Sequence, residues 1–149
     1  MGRGLADGHS DSTRLDPAAH SPVVSASRWR SLMYAIAGCG YMFRYQKNTR
    51  ILLLATFLVL LLTIWLEVNP IEWALLLLAT GMVWQAEFFN AAIEAAVNLA
   101  VSDLHPMARV AKDVAAASVL LTVLTSIAIG LIVLGPPLVN RLHLVLGVP

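Results

Sequence analysis

The amino-acid sequence predicts an all-α membrane protein with three transmembrane helices and an amphipathic N-terminal helix at the membrane surface. Of the 149 residues, 58% are hydrophobic and 13% are charged, and the mean hydropathy is +0.75. Such values lie outside the usual range for a soluble domain of this length. Three long apolar stretches follow one another after residue 50, and a segment with helical periodicity precedes them. Together these features indicate a small helical bundle in a membrane.

The N-terminal part divides into two segments of different character. Residues 1–24 contain Gly, Ser, Asp, His and Pro without an apolar run, a composition that predicts a disordered tail. In residues 25–45, apolar side chains recur at helical spacing, and Arg28, Arg30 and Arg44 flank them. This pattern predicts a helix lying in the headgroup region, or a juxtamembrane segment that only anchors the bundle.

The apolar stretches predict three spans within a membrane domain of residues 25–138. They are expected to cover about residues 50–67, 71–101 and 108–135. The third includes 21 uncharged residues from Val114 to Leu134, after which Pro136-Pro137 is expected to end the helix. Residues 139–149 would then form a short C-terminal tail.

The distribution of Lys and Arg predicts the orientation of the chain. Five basic residues precede the first span within residues 28–50, Arg109 and Lys112 lie between the second and third spans, and none lies between the first and second. By the positive-inside rule, the N-terminus is cytoplasmic and the C-terminus lies outside. A net charge of +1, without basic clusters that alternate with aromatic residues, argues against nucleic acid as a partner.

The second predicted span carries a polar stripe at its cytoplasmic end. Glu87, Asn90, Glu94 and Asn98 are spaced i, i+3, i+7 and i+11, so they fall within a sector of roughly 80° on one helix face. A carboxylate near a bilayer is costly unless it is paired, protonated or bound to a metal. Candidate partners on the same membrane side are Lys112, Asp113, Arg109, Lys47 and Arg50.

The residue types of this polar stripe leave three chemical interpretations open. Two carboxylates with an amide between them and a lysine nearby can hold a divalent ion, a general base and a phosphate group, which phosphoryl transfer requires. The same carboxylates can support proton-coupled transport, or they can form an interfacial patch of solvated charge. His105 alone is more typical of an interfacial histidine than of a ligand.

The residues of the stripe also carry a resemblance to a known family. The segment from Glu87 to Asn98 reads EFFNAAIEAAVN and resembles the signature E-x-x-N-S/T-A/S-I-E-x-x-V-D of the prokaryotic diacylglycerol kinase and undecaprenol kinase family. The resemblance continues through His105 to Asp113, which read HPMARVAKD, and backwards through Asn48-Thr49-Arg50 and Tyr34-Ala35. It covers roughly residues 25–135.

The family resemblance implies an architecture and a reaction. It implies a homotrimer of three-span subunits, with sites shared between neighbouring subunits in the bacterial inner membrane. It also implies transfer of the γ-phosphate of ATP, with Mg²⁺, to the primary hydroxyl of a membrane lipid alcohol at the cytoplasmic interface. Both diacylglycerol and undecaprenol remain possible substrates.

The same resemblance implies roles for individual residues. Glu87 would be the general base, Asn90 would help to hold the site, and Glu94 would bind Mg²⁺. The nucleotide would be bound by Lys112 and Asp113, with Tyr34, Arg30 and the Asp103-Leu104-His105 turn completing the ATP pocket.

Three positions depart from the family pattern. Gln46 stands where a second metal-binding glutamate is usual, Asn98 replaces an aspartate, and Ala91 replaces Ser or Thr. An amide oxygen can still ligate Mg²⁺, but the site has less negative charge. A weakly active or non-catalytic variant of the family therefore remains an alternative. A small proton-coupled transporter is another, although the inverted repeats or second acidic span it predicts are not visible in the sequence.

Overall fold

The computed structural model describes residues 28–100 and 105–147. The described residues form four α-helices and no strands: α1 (Arg28–Tyr45), α2 (Lys47–Trp65), α3 (Pro70–Ala100) and α4 (Pro106–Leu146). The predicted all-α class is confirmed. The predicted tail of residues 1–24 lies outside the described part of the chain.

The described chain divides at Cys39 into two units, residues 28–39 and residues 40–147. In the first unit, the first two-thirds of α1, every side chain is exposed. In the second unit, α1 ends at Tyr45, and the extended backbone of Gln46 (φ −93°, ψ 116°) separates it from α2. The Gln46 N–H donates to the Met42 carbonyl at 3.1 Å, so the break between the helices is short and hydrogen-bonded.

Three of the described helices are long and apolar enough to cross a membrane, as predicted. They are α2, α3 and α4, of 19, 31 and 41 residues, which correspond to lengths of roughly 28, 46 and 61 Å. A hydrocarbon core is about 30 Å thick, so α3 and α4 extend beyond it. The buried share of the apolar stretch is 28% in α3 and 11% in α2 and α4, which makes α3 the central helix.

A three-residue turn after Leu66 reverses the chain between α2 and α3. Glu67 adopts a left-handed conformation with φ 52°, and Asn69 caps α3. The Asn69 side-chain oxygen accepts from the N–H groups of Ile71 at 2.9 Å and Glu72 at 3.0 Å, while the Glu72 carboxylate accepts from the Asn69 N–H at 2.9 Å. This reciprocal cap, with Pro70 as the first helical residue, fixes where α3 begins.

The hydrophobic core lies near this turn, at the end of the bundle opposite to the polar stripe. Leu66, Leu76, Val133 and Leu134 are buried together. They come from the end of α2, the first half of α3 and the second half of α4. The core therefore joins all three long helices at one end.

The prediction that Pro136-Pro137 ends the third span is wrong, because α4 continues through both prolines to Leu146. Each proline removes a backbone N–H and costs a helix interior about 3 kcal/mol or more. Beyond the prolines, Leu138 packs on the core, and Arg141 donates to the Trp65 carbonyl at 3.1 Å and the Glu67 carboxylate at 3.0 Å. Of the predicted C-terminal tail, residues 139–146 are thus helical.

Candidate active site

The polar stripe on α3 becomes more exposed along its length. Glu87 is 4% exposed and Asn90 is 9% exposed, whereas Glu94 is half-buried and Asn98 is exposed. These positions share one helix face, so the gradient follows the emergence of α3 from the bundle. The stripe therefore presents a buried carboxylate at one end and a solvated amide at the other.

Glu87 is buried and has no charged partner among the described residues. The ion pairs among residues 28–100 and 105–147 involve neither Glu87 nor Glu94. The residue as a whole is 4% exposed, so the bundle shelters Glu87 more than the other members of the stripe, which a solvated patch of interfacial charge does not require. A buried, unpaired carboxylate is costly to the fold, which is typical of a side chain retained for chemistry.

Asn90 contacts the second carboxylate of the stripe, Glu94. Its Nδ2 donates to Glu94 Oε1 at 3.4 Å, a long hydrogen bond within one turn of α3. Its Oδ1 is buried and accepts no hydrogen bond from any described residue. Asn90 thus orients one oxygen of Glu94 and leaves the other Glu94 oxygen available to a ligand.

Lys112 meets the exposed end of the stripe. Its Nζ donates to Asn98 Oδ1 at 2.6 Å, which joins α4 to the end of α3. Lys112 thus meets the stripe at its terminal amide and not at either carboxylate, for which it was the candidate partner. Asp113 instead lies 3.8 Å from Arg109, and both side chains are largely exposed. Because Lys112 bonds to Asn98, its ammonium group lies about three turns along α3 from Glu87.

His105 has a structural role that its sequence context did not reveal. It caps α4, because its Nδ1 accepts the Met107 N–H at 3.2 Å. Asp103 and Leu104, predicted to form the same ATP turn, lie outside the described residues. Arg30 and Tyr34 lie in the first unit, where both are exposed, and their part in an ATP pocket stays a prediction.

Gln46, the predicted metal ligand before α2, leaves its side chain available. It is half-buried and occupies the N-cap position without making a side-chain capping hydrogen bond. The described residues hold no cluster of three or more His, Cys, Asp or Glu side chains that could bind a metal by itself. A cation at Glu94 would thus need amide, phosphate or water oxygens as further ligands.

One side-chain contact fixes the register of α2 against α3. Trp84 Nε1 donates to Thr56 Oγ1 at 2.9 Å, and the short turn between these helices makes them antiparallel. Gln46 comes ten residues before Thr56, and Glu94 comes ten residues after Trp84. The register therefore places Gln46 and Glu94 at the same level of the helix pair.

An aromatic cluster beside the stripe was missed by sequence reasoning. The Trp84 ring lies 5.8 Å from Phe43 and 6.3 Å from Phe88, measured between ring centroids. On the adjoining surface of α3 is an open groove of about 480 Å³. It is lined by Trp84, Gln85, Phe88, Phe89 and Ala92. The i, i+4 spacing of Trp84 and Phe88 was the available signal, but in an apolar span it is indistinguishable from ordinary packing.

Comparisons with known proteins agree with the motifs of the stripe. The family model for prokaryotic diacylglycerol kinase matches residues 33–134. A diacylglycerol kinase of Synechocystis is 36% identical over 111 residues, which are 74% of this chain and 63% of that relative. An undecaprenol kinase of Bacillus subtilis is 33% identical over 110 residues, which are 74% of this chain and 89% of the relative. A diacylglycerol kinase of Escherichia coli strain K12 is 33% identical over 73 residues, or 49% of this chain and 60% of the relative.

Proposed function

Because the chain belongs to the prokaryotic diacylglycerol kinase family, a family of lipid kinases, we propose that it phosphorylates a membrane lipid alcohol with ATP. The acceptor is the primary hydroxyl of diacylglycerol or undecaprenol. The observation that carries the proposal is the stripe on α3, with buried, unpaired Glu87 at one end and Asn98, bonded to Lys112, at the other. The reaction needs a proton acceptor and a cation for phosphate, and these two positions supply them.

Glu87 acts as the general base. Its carboxylate takes the proton of the lipid hydroxyl as the hydroxyl oxygen attacks the γ-phosphorus of ATP. The bond from the γ-phosphorus to the β–γ bridging oxygen breaks, and ADP leaves with that oxygen. Burial of Glu87 keeps water away from this step, and the apolar groove of Trp84, Phe88 and Phe89 suits a lipid chain close to it.

Lys112 offsets negative charge on the ATP phosphates. The hydrogen bond from Nζ to Asn98 holds the ammonium group in place, and an ammonium has two further protons to donate to phosphate oxygens. Asp113 and His105, together with Arg30, Tyr34 and the Asp103-Leu104 turn, complete the proposed nucleotide pocket. Lys112 itself lies where the start of α4 meets the described end of α3.

Mg²⁺ fits the residues at the half-buried part of the stripe. Glu94 keeps one oxygen clear of its hydrogen bond to Asn90, and the uncommitted side chain of Gln46 lies at the same level. These two residues would hold the ion together with phosphate oxygens, since hard cations prefer oxygen ligands. When bound, Mg²⁺ neutralises charge that develops on the transferred phosphate.

The proposed setting is the bacterial inner membrane, with the N-terminus in the cytoplasm and the C-terminus outside. The stripe then faces the cytoplasmic interface, where ATP is available. We propose a homotrimer with sites shared between neighbouring subunits. Extensive exposure of apolar side chains along α2 and α4 supports contact of these helices with lipid or with further copies of the chain.

A direct transfer assay tests the proposal. The purified full-length protein in detergent is given radiolabelled ATP and Mg²⁺, with diacylglycerol or undecaprenol in separate reactions, and label in the extracted lipid is measured. Transfer to one lipid identifies the substrate. Absence of transfer to both lipids would contradict the kinase proposal and favour a non-catalytic variant or a transporter.

A further inference from the structure

Two buried polar atoms accept and donate no hydrogen bond among residues 28–100 and 105–147: Oγ1 of Thr49 and Oδ1 of Asn90. Thr49 is fully buried, at 0% exposure, and Asn90 is 9% exposed. Buried polar groups in folded proteins almost always have a partner. Both atoms therefore call for a physical explanation.

The two atoms have complementary chemistry. A threonine hydroxyl carries a proton that it can donate, whereas an amide oxygen can only accept. The Thr49 hydroxyl can therefore supply the kind of donor that Asn90 Oδ1 lacks. A water molecule between them would satisfy both atoms equally well.

The helix register places the two residues at the same level. Thr49 lies seven residues, or two turns, before Thr56 on α2, and Ala91 lies seven residues after Trp84 on α3. Because Trp84 Nε1 bonds to Thr56 Oγ1 across this antiparallel pair, Thr49 lies level with the Asn90–Ala91 turn. Thr49, Asn90 and Ala91 are all buried.

Thr49 differs from the other helical threonines in how its hydroxyl is used. Thr63 is equally buried, at 1% exposure, and its hydroxyl donates to the Val59 carbonyl four residues earlier at 2.7 Å. Thr122 and Thr125 make the same type of bond. Thr49 is the third residue of α2, so the carbonyl four residues before it belongs to α1, beyond the extended Gln46. Its hydroxyl is thus left for a partner outside its own helix.

We propose that Thr49 is a positioning residue that acts through Asn90 on Glu94. Its hydroxyl donates to one water that in turn donates to Asn90 Oδ1, and this link keeps Asn90 Nδ2 turned towards Glu94 Oε1. The opposite orientation of the amide would bring two acceptor oxygens together and deprive Glu94 of its donor. The inference rests on the proposed function in one respect, namely that Glu94 binds the divalent cation.

Metal binding measured without catalysis tests this role. The probe is Mn²⁺ in the presence of a non-hydrolysable ATP analogue, followed by electron paramagnetic resonance on the detergent-purified full chain. Thr49→Val, which keeps the shape but removes the hydroxyl, is expected to weaken Mn²⁺ binding about tenfold, at the lower end for loss of a group that orients a metal ligand. Thr49→Ser keeps the hydroxyl and is expected to bind Mn²⁺ like the wild type.

Thr63→Val is the matched control, because it removes an equally buried hydroxyl from the same helix. It is expected to leave Mn²⁺ binding unchanged. Equal weakening by Thr49→Val and Thr63→Val, or no weakening by either, would overturn the inference. If Thr49→Val does not yield a homogeneous oligomer, Thr49→Ala, which also removes the hydroxyl donor, is read in the same way.

A double-mutant comparison separates positioning from general stability. In an Asn90→Ala background, Thr49→Val is expected to cause no further loss of Mn²⁺ affinity, because its effect passes through the missing amide. Additive losses would overturn the inference. If the wild type transfers no phosphate to either lipid, the proposed function fails by itself, while the Mn²⁺ series still decides the role of Thr49.

Discussion

Replacing Glu87 by glutamine should separate activity from stability. The side chain is 4% exposed and forms no ion pair with any described residue. Glutamine has nearly the same shape but cannot accept the proton of the lipid hydroxyl. The change therefore removes the proposed base while it leaves the packing of α3 intact.

The size of each effect follows from the surroundings of Glu87. General base catalysis contributes about 10²- to 10⁴-fold to a rate, so the turnover number should fall by that factor, equivalent to about 3–5 kcal/mol in the activation barrier. A sheltered carboxylate without a partner destabilises the folded state more than a neutral amide at the same position does. The thermal unfolding midpoint of Glu87→Gln should consequently be equal to or higher than that of the wild type.

The assay pairs lipid phosphorylation at saturating ATP and lipid with thermal unfolding in the same detergent. Glu72→Gln is the matched control, because it makes the same change on the same helix, where the amide oxygen can still accept from the Asn69 N–H. It should retain transfer activity. A midpoint that falls by several degrees in Glu87→Gln, with activity lost only in proportion to unfolded protein, would refute the assignment of Glu87 as the base.

Three further substitutions test other parts of the molecule. Gln46→Glu adds a carboxylate at the level of Glu94 and should lower the Mg²⁺ concentration for half-maximal transfer, which a Mg²⁺ titration checks; an unchanged titration would place Gln46 away from the metal. Lys112→Met should raise the KM for ATP about tenfold or more, with a smaller change in the KM for lipid, and equal changes in both would argue against a phosphate contact. Arg141→Gln loses an ion pair to Glu67 whose side chains are 36% and 80% exposed, so it should cost less than about 1 kcal/mol in unfolding free energy and leave transfer unaffected.

The arrangement of the site could be predicted from sequence where it depends on one helix. Glu87, Asn90, Glu94 and Asn98 share a face because of their spacing, and α3 holds that spacing without interruption. The start of α3 was also accessible, since Asn69 and Pro70 are local signals of a helix N-terminus. The spacing of these residues could not predict how deeply each one is buried, because burial depends on which neighbouring helices cover each turn of α3.

Contacts between helices decided several features that local sequence reasoning could not reach. The partner of Asn98 is Lys112, fourteen residues away across the α3–α4 connection, and the burial of Thr49 depends on packing that no spacing rule encodes. The sequence pattern also treated Leu134 as the end of a span, whereas α4 continues. Beyond Pro136-Pro137, Leu138 packs on the hydrophobic core and Arg141 bonds to Trp65 and Glu67.

The sequence by itself determined the membrane class, the three spans and the polar face of α3, because hydropathy and helical periodicity are local properties of the chain. Only the tertiary structure decided that Glu87 is buried, that Lys112 meets Asn98 and that α4 passes through two prolines. Each of these depends on residues that are distant in the sequence, and such residues come together only when the helices pack against one another.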